Sequence, residues 1–359
     1  MAGGLSITTA VPATDEHPRE SEGTIVELSD GSLLLAWQEF WKGDVGHLDS
    51  DSWPSRICAL LSSDGGHTWH GKRTLAEPPP DAKSCYSPSL LPLPDGRLLL
   101  GFMVYHSVAP IDSSGYVWVS DDGGESFSPL STAWEHRPLG PAAHSLKLLA
   151  DGRLLWPVSA PSGLVDEGQN VWVNGATYSD DGGLTWHESE DWAALPMRGA
   201  MEPRVEQLRD GRVLMVMRTQ LGAVFQSWSA DGGATWSKPQ TTGLRSPESC
   251  PELTRLPDTG DLLIMWNNAE YDPAWYSHFG PRTPLTVATS SDEGDTWSNV
   301  RDIETDSAWA FSNPGATPTS QGTAVFNYWC SRYRETGRMR DWPIELRVAV
   351  ADLDWIYGR

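Results

Sequence analysis

Basic residues are in short supply. The 359 residues carry 26 Lys and Arg against 48 Asp and Glu, a formal net charge of -22. Nucleic-acid partners are excluded on that ground, because neutralising phosphates needs Lys and Arg, and anionic membrane surfaces are excluded with them. Cysteine is equally sparse. Cys58, Cys85, Cys250 and Cys330 are scattered without C-x-x-C spacing and read as free thiols rather than disulfides or a metal site. No window approaches the roughly 18 uncharged apolar residues of a spanning helix. The first twenty residues lack a basic segment followed by an apolar one, so they do not read as a signal peptide. A cytoplasmic protein is expected, and secretion would require a leader ahead of this sequence. Histidines at ligand spacing are missing too: only His67 and His70 stand close together. No metal or other cofactor is expected, and the oligomeric state is not legible.

Helical periodicity is also nearly absent, whereas turn residues abound, with 34 Gly and 27 Pro. The stretch SDDGGLTW (179–186) is one of five similar boxes. The others are SSDGGHTW (62–69), SDDGGESF (120–127), SADGGATW (229–236) and SSDEGDTW (290–297). A second repeat alternates with them: LSDGSLLLAW (28–37), LPDGRLLLGF (93–102), LADGRLLWPV (149–158), LRDGRVLMVM (208–217) and LPDTGDLLIMW (256–266). TSQGTAVFNYW (319–329) is a worn sixth copy. Such periods signal a repeat architecture with one supersecondary unit per repeat. An apolar run leads into each Asp-Gly and another leaves it, a hairpin signal. A third run enters the box and a fourth follows it. Four strands per unit and six units predict an all-β fold, a six-bladed β-propeller of four-stranded antiparallel blades, forming one domain over residues 1–359. IELRVAVADLDW (344–355) reads as late strands of the sixth blade. LSITTAV (5–11) reads as the strand that closes the ring and protects its edges.

Strand alternation then separates the two rims. The Asp-Gly turns and the boxes fall on one rim, where box Asp and Ser/Thr side chains can fasten turn backbone. The box tryptophans can pack between blades. Chemistry belongs on the opposite rim, where first strands begin about eight residues before each Asp-Gly turn. Glu22, Glu202 and Glu248 stand there, Glu22 and Glu202 in the same register before Asp30 and Asp210. Poorly solvated carboxylates at the mouth of an apolar tunnel are candidates for function. Arg19, Arg218 and Arg282 fall on the same rim, and converging guanidinium forks suit a substrate carboxylate. Phe40, Trp41, Tyr105 and Trp266 are candidates to stack on sugar rings.

With these boxes and stretches such as MEPRVEQLRDGRVLMVMRTQLG (201–222) and RTPLTVATSSDEGDTW (282–297), the sequence resembles the sialidase (neuraminidase) superfamily in its BNR-repeat branch, over nearly its whole length. The resemblance implies an arginine triad on a substrate carboxylate, a tyrosine nucleophile paired with a glutamate, and an aspartate acid. Carried over by position, Glu202 matches the glutamate, Arg218 and Arg282 the second and third arginines, and Arg19 the first, offset by about two residues from its usual register. The acid would come from the loop WKGDVGHLDSDSWPSR (41–56), with Asp51 preferred over Asp44 and Asp49. The chain departs from the pattern at the sixth unit, where Phe311, Ser312 and Asn313 stand in place of the tyrosine. Tyr86, Tyr271 and Tyr276 are substitutes in reach; alternatively a carboxylate pair, Glu202 with Glu22 or Asp51, runs ordinary acid/base hydrolysis.

The implied function is a glycoside hydrolase of exo-alpha-sialidase type. It would cleave a terminal acidic sugar from a glycan, with Glu202, Asp51 and Glu22 catalytic and Arg19, Arg218, Arg282 and Glu248 binding substrate. Three alternatives share the fold: a polysaccharide lyase with His144 or a tyrosine as base, an arabinanase-like glycosidase, and a non-catalytic glycan-binding propeller.

Overall fold

A computed structural model describes residues 4–43, 53–166, 169–275, 279–333 and 343–359. Arg19–Glu27, Leu33–Phe40, Ser55–Ser62 and His70–Ala76 pair in succession, all antiparallel. Ser84–Pro92, Leu98–Val108, Ile111–Ser120 and Ser128–Arg137 repeat the pattern. One parallel pairing, Ser55 with Ser84, joins these two groups into an eight-stranded sheet. In the next sheet Gly140–Pro141 and Lys147–Leu148 pair with Leu154–Asp166, which pairs with Gln169–Ser179, itself edged by His187–Glu188 and Ala193–Ala194. Two four-stranded sheets follow: Met201–Gln207, Val213–Arg218, Ala223–Ser229 and Gln240–Arg245, then Glu252–Arg255, Leu262–Asn267, Leu285–Ser290 and Ser298–Glu304. The last holds Trp309–Pro318, Thr323–Arg332 and Glu345–Asp352. Leu5–Val11 adds to Glu345–Asp352, so the N-terminal strand completes the C-terminal sheet as its sequence suggests.

The first strands stand side by side about one axis. Arg19–Glu27 lies between Ser84–Pro92 and Trp309–Pro318, and Met201–Gln207 lies between the Leu154–Asp166 sheet and Glu252–Arg255. Polar contacts stitch neighbouring sheets. The His144 amide donates to Pro88 O at 3.0 Å, and Thr317 Oγ1 donates to Ile25 O at 2.7 Å. The all-β fold is therefore a β-propeller. Its second strands explain their unbroken apolar runs: Leu33–Phe40, Val213–Arg218 and Leu262–Asn267 are buried at every residue, because sheets cover both of their faces. Outer strands such as His70–Ala76 are mostly exposed. The core consists of layers between sheets. Val26, Leu34 and Ala59 meet Leu100 and Phe102, and Ile25 and Leu33 meet Val325 and Val348 where the last sheet reaches the first. All four cysteines are free and buried. Among the described residues no helix is long and apolar enough to cross a membrane.

The boxes fasten turns. In the third, Asp181 Oδ1 accepts from the Leu184 and Thr185 amides at 3.0 and 2.9 Å, and its Oδ2 accepts from Thr185 Oγ1 at 2.6 Å. Trp186 Nε1 donates to Ser131 Oγ of the preceding sheet at 3.1 Å, so the box indole does bridge sheets. One expectation fails at the C-terminus. The run read as strand to residue 355 stops at Asp352, whose carboxylate accepts the Trp355 amide and starts a short helix, Leu353–Tyr357, closed by Gly358 at φ 69°. An Asp N-cap and a left-handed glycine outweigh strand propensity there.

Candidate functional site

Glu22, Ser87, Glu202 and Asn313 have positive φ, 55°, 50°, 47° and 50°, and all four line one cavity. Each sits inside a first strand at a shift of pairing register, between Ser21 and Thr24, Tyr86 and Ser89, Met201 and Arg204, and Ser312 and Gly315. These are β-bulges, which bend a strand and re-aim one side chain. A non-glycine residue in this region costs on the order of 1–3 kcal/mol. Repetition of that cost around one axis marks a site under constraint. Pro88, Pro203 and Pro314 follow the bulge residues directly, as expected where a strand gives up a ladder hydrogen bond.

Arg19 and Arg218, on strands of two different sheets, and Arg282, just ahead of Leu285–Ser290, reach the same cavity, as do Tyr86, Tyr105, Ser159, Trp172, Arg198 and Trp329. Its volume is about 290 Å³, near the lower end for small-molecule sites, roughly 300–1,000 Å³. Arg19 is buried with its guanidinium carbon 4.1 Å from the Phe40 ring centroid. Its Nε donates to Ser21 Oγ at 3.2 Å and its Nη2 to Tyr86 Oη at 3.1 Å. Arg282 Nη1 donates to Ser312 Oγ at 2.6 Å, and its backbone amide donates to Tyr333 Oη at 2.7 Å. Arg218 donates from Nη1 to Glu202 Oε2 at 2.9 Å and from Nη2 to Glu248 Oε1 at 3.1 Å.

Burial alone would raise the Glu202 carboxyl. The Arg218 charge and hydrogen bond, helped by Arg282 and Arg204, outweigh it and hold Glu202 below its ordinary value of 4.5. Glu202 is therefore a carboxylate at neutral pH, fitted to accept a proton or stabilise a cation rather than to act as an acid. The Ser159 hydroxyl accepts the Glu202 amide at 2.9 Å and fixes the bulge.

The structure brings Glu202, Glu22, Arg19, Arg218 and Arg282 together as their registers suggest, and moves three other residues. Glu248 is not on the cavity wall. It is fully buried behind it, where it accepts from Arg218, Arg198 and Gln220 Nε2, so it holds arginines in place rather than meeting substrate. His144 does not line this cavity either. Its Nδ1 lies 2.8 Å from Thr24 Oγ1 and its Nε2 3.2 Å from Ala316 O, and burial pushes its pKa down to about 3. Trp266 is core, 1% exposed, with Nε1 donating to Arg245 O at 3.0 Å. Of the other aromatics, Tyr105 lines the cavity, Phe40 lies buried under Arg19, and Trp41 sits against Arg56. Asp51, with Asp44, Asp49 and Tyr276, lies outside the described residues.

Arg198, Trp172 and Ser159 are cavity residues that the sequence does not single out, and Asn313 is singled out only as one of three residues standing in place of the tyrosine. Asn313 had a signal: it stands eight residues before Gln321, as Glu22 stands before Asp30 and Glu202 before Asp210. Arg198 had none, because it lies on a connection between sheets. Where the family tyrosine is expected, Asn313 donates to Glu22 Oε1 and Ser312 accepts from Arg282. No metal-ligating group forms within the cavity wall among the described residues; the one cluster found, Asp81, His106 and His136, lies outside it.

The comparisons agree with this architecture. Residues 31–325 match the family model of the BNR repeat-like domain. No curated protein matches in sequence. Among solved structures, a Dyadobacter fermentans protein of unknown function is 20% identical, with a TM-score of 0.74, covering 97% of this chain and 99% of its own. The NanB sialidase of Streptococcus pneumoniae is 14% identical with a TM-score of 0.73, covering 97% of this chain and 70% of its own. The intramolecular trans-sialidase of Ruminococcus gnavus is 15% identical with a TM-score of 0.73, covering 98% of each chain. At these identities the likeness to solved structures is one of fold. The family match spans most of the sequence: the chain belongs to the BNR repeat-like family, and its β-propeller fold is similar to that of these sialidases.

Proposed function

We propose that this protein is a glycoside hydrolase that removes a terminal, carboxylate-bearing sugar from a glycan. The observation that carries the reading is the convergence of Arg19, Arg218 and Arg282 from separate parts of the fold onto one sugar-sized cavity that also holds Glu22 and Glu202. Among the described residues, four guanidiniums (these three and Arg198) face three carboxylates, Glu22, Glu202 and the buried Glu248. An anionic substrate group fits that excess, and bidentate arginine binding suits a carboxylate.

In this reading the eight-stranded sheet counts as two blades, which makes six blades and one domain. Units one and four of a six-membered ring face each other, so Glu22 and Glu202 act from opposite sides of the bound sugar. Two carboxylates flanking the glycosidic bond are the ordinary equipment of glycoside hydrolysis. Glu202, ionised, stabilises the positive charge that develops on the ring or activates water. Glu22, held by Asn313, takes the complementary role that a tyrosine would otherwise share. Tyr86 orients Arg19. The loop carrying Asp51 remains our choice for protonation of the leaving group.

The test is a panel of fluorogenic sialosides and hexuronides assayed with wild type and variants. Glu202→Gln and Glu22→Gln are each expected to lower kcat by about 10²–10⁴-fold, the usual range for a positioned acid or base. Tyr86→Phe is expected to act mainly on KM. Full hydrolytic activity in Glu202→Gln would overturn the assignment. A second reading, β-elimination on a uronic acid, draws on the Tyr86 hydroxyl beside Arg19; it would yield an unsaturated, ultraviolet-absorbing product in place of a hydrolysed one.

A further inference from the structure

His106 lies near the end of Leu98–Val108, His136 near the end of Ser128–Arg137, and Asp81 in the turn ahead of Ser84–Pro92. They are 25 and 30 residues apart in sequence, so no ligand spacing is visible there. Folding stacks the two imidazoles with centroids 4.3 Å apart at 28°. One donor atom of each of the three residues lies within 4.8 Å of the others. His106 Nδ1 is 3.6 Å from Asp81 Oδ2. We propose that Asp81, His106 and His136 form a binding site for a divalent transition-metal ion, beside the sugar cavity and independent of its chemistry.

The partners of the other ring nitrogens support this. His136 Nδ1 lies 3.0 Å from Asp112 Oδ2, so Nε2 is the donor that His136 can offer. His106 Nε2 lies 2.9 Å from Ser114 Oγ. Nδ1 of His106 also lies 3.3 Å from Asp81 O; metal binding places the ring proton on Nε2, where Ser114 accepts it. Metal-ligating histidines almost always have their second nitrogen held in this way, which fixes the tautomer and raises the basicity of the ligating nitrogen. Ser114 Oγ also accepts the His136 amide at 3.1 Å, so one hydroxyl positions both histidines. His136 sits at φ 49°, a strained conformation that such contacts can hold.

Two imidazoles and one carboxylate suit Zn²⁺, Co²⁺ or Ni²⁺, whereas Ca²⁺ and Mg²⁺ need oxygen-rich sets. Three protein ligands leave at least one position for water. Tyr105, which lines the cavity, is the residue next to His106. A bound ion would thus tie the outer strand and the loop before Ser84 to the strand that supports this cavity wall, and would act as a brace.

The experiment uses the full chain, stripped with a chelator and then titrated with Zn²⁺ by calorimetry and with Co²⁺ by visible absorption. One equivalent is expected to bind, with nitrogen-ligated Co²⁺ bands and a raised thermal midpoint. His136→Ala, at an exposed position, is expected to abolish the bands, as is His106→Ala. Asp112→Asn is expected to weaken binding by roughly 10–100-fold, the usual effect of losing such an outer partner. His70→Ala, an exposed histidine elsewhere, is expected to leave binding unchanged. Absence of saturable one-site binding to wild type, or unaltered binding in His136→Ala, would overturn the proposal.

Discussion

Asn313 donates its side-chain amide to Glu22 across a separation of 291 residues in sequence, tying the last sheet to the first at the cavity wall. The orientation of that amide is settled by a third residue. Trp329 Nε1, which can only donate, reaches Asn313 Oδ1 at 3.0 Å, so the amide nitrogen faces Glu22. Asn313→Asp keeps the shape and replaces a donor with a second carboxylate. A like charge at this distance raises a carboxyl pKa. The acid limb of the kcat/KM profile is therefore expected to move to higher pH in Asn313→Asp, with a smaller change in Asn313→Ala. An unmoved limb would mean that Glu22 is not the titrating group.

Glu202 and Arg218 predict a shift of the same sign by another route. Burial favours the neutral acid and Arg218 opposes it. Arg218→Lys loses the fork that serves Glu202 and Glu248 together, so burial regains weight and the Glu202 pKa rises. Residual activity should then fall away at a higher pH than in wild type, measured at saturating substrate to separate this effect from weaker binding. Stability follows the same sign. The folded-state pKa of Glu202 is depressed, so its contribution is present above the unfolded value of 4.5 and is lost as pH falls through the folded one. Glu202→Gln removes that acid dependence.

Repeats made the architecture legible because each unit buries the same faces in the same order. The boxes and Asp-Gly hairpins located every first strand, and through them Glu22, Glu202, Arg218 and Arg282. What stayed hidden depends on contacts between units. Glu248 falls on the same rim in sequence, yet two arginines and Gln220 draw it behind the wall. Trp266 has the look of a rim aromatic, yet both faces of its strand are covered. Arg198 lies on a connection, and Asp81, His106 and His136 meet only through strand pairing. No periodicity records such encounters.

Glu20 predicts an alkaline weakness. It pairs with Glu39 across neighbouring strands and is 1% exposed. Burial, then the Glu39 charge, pushes its pKa up to about 9 despite the Trp37 Nε1 bond at 2.6 Å. Glu39 stays ionised because Lys72 and Arg56 overcome its burial. A raised folded-state pKa makes the contribution of Glu20 complete below the unfolded value of 4.5. That contribution is lost as pH rises, and is gone above about 9. Glu20→Gln keeps an acceptor for Trp37 and does not titrate. Its urea midpoint relative to wild type is expected to improve steadily between pH 5 and pH 9; a constant difference would show that Glu20 ionises normally.

Asp181 separates fastening from chemistry. Its carboxylate accepts the Thr185 hydroxyl and amide, the Leu184 amide and the Ser179 hydroxyl at 2.8 Å, and these bonds, Thr185 first, hold it well below the usual carboxylate range. It is solvent-exposed and absent from the cavity wall. Asp181→Ala leaves two amides and two hydroxyls to water and frees a turn whose indole reaches Ser131 of the neighbouring sheet. A thermal midpoint lowered by a few degrees is expected, with kcat/KM unchanged at temperatures below the transition. The sign with pH is again that of a depressed carboxylate. The wild-type advantage is present above the unfolded value of 3.8 and shrinks as pH falls through the folded one. Loss of activity at an unchanged midpoint would give the box a chemical role, against everything its hydrogen bonds indicate.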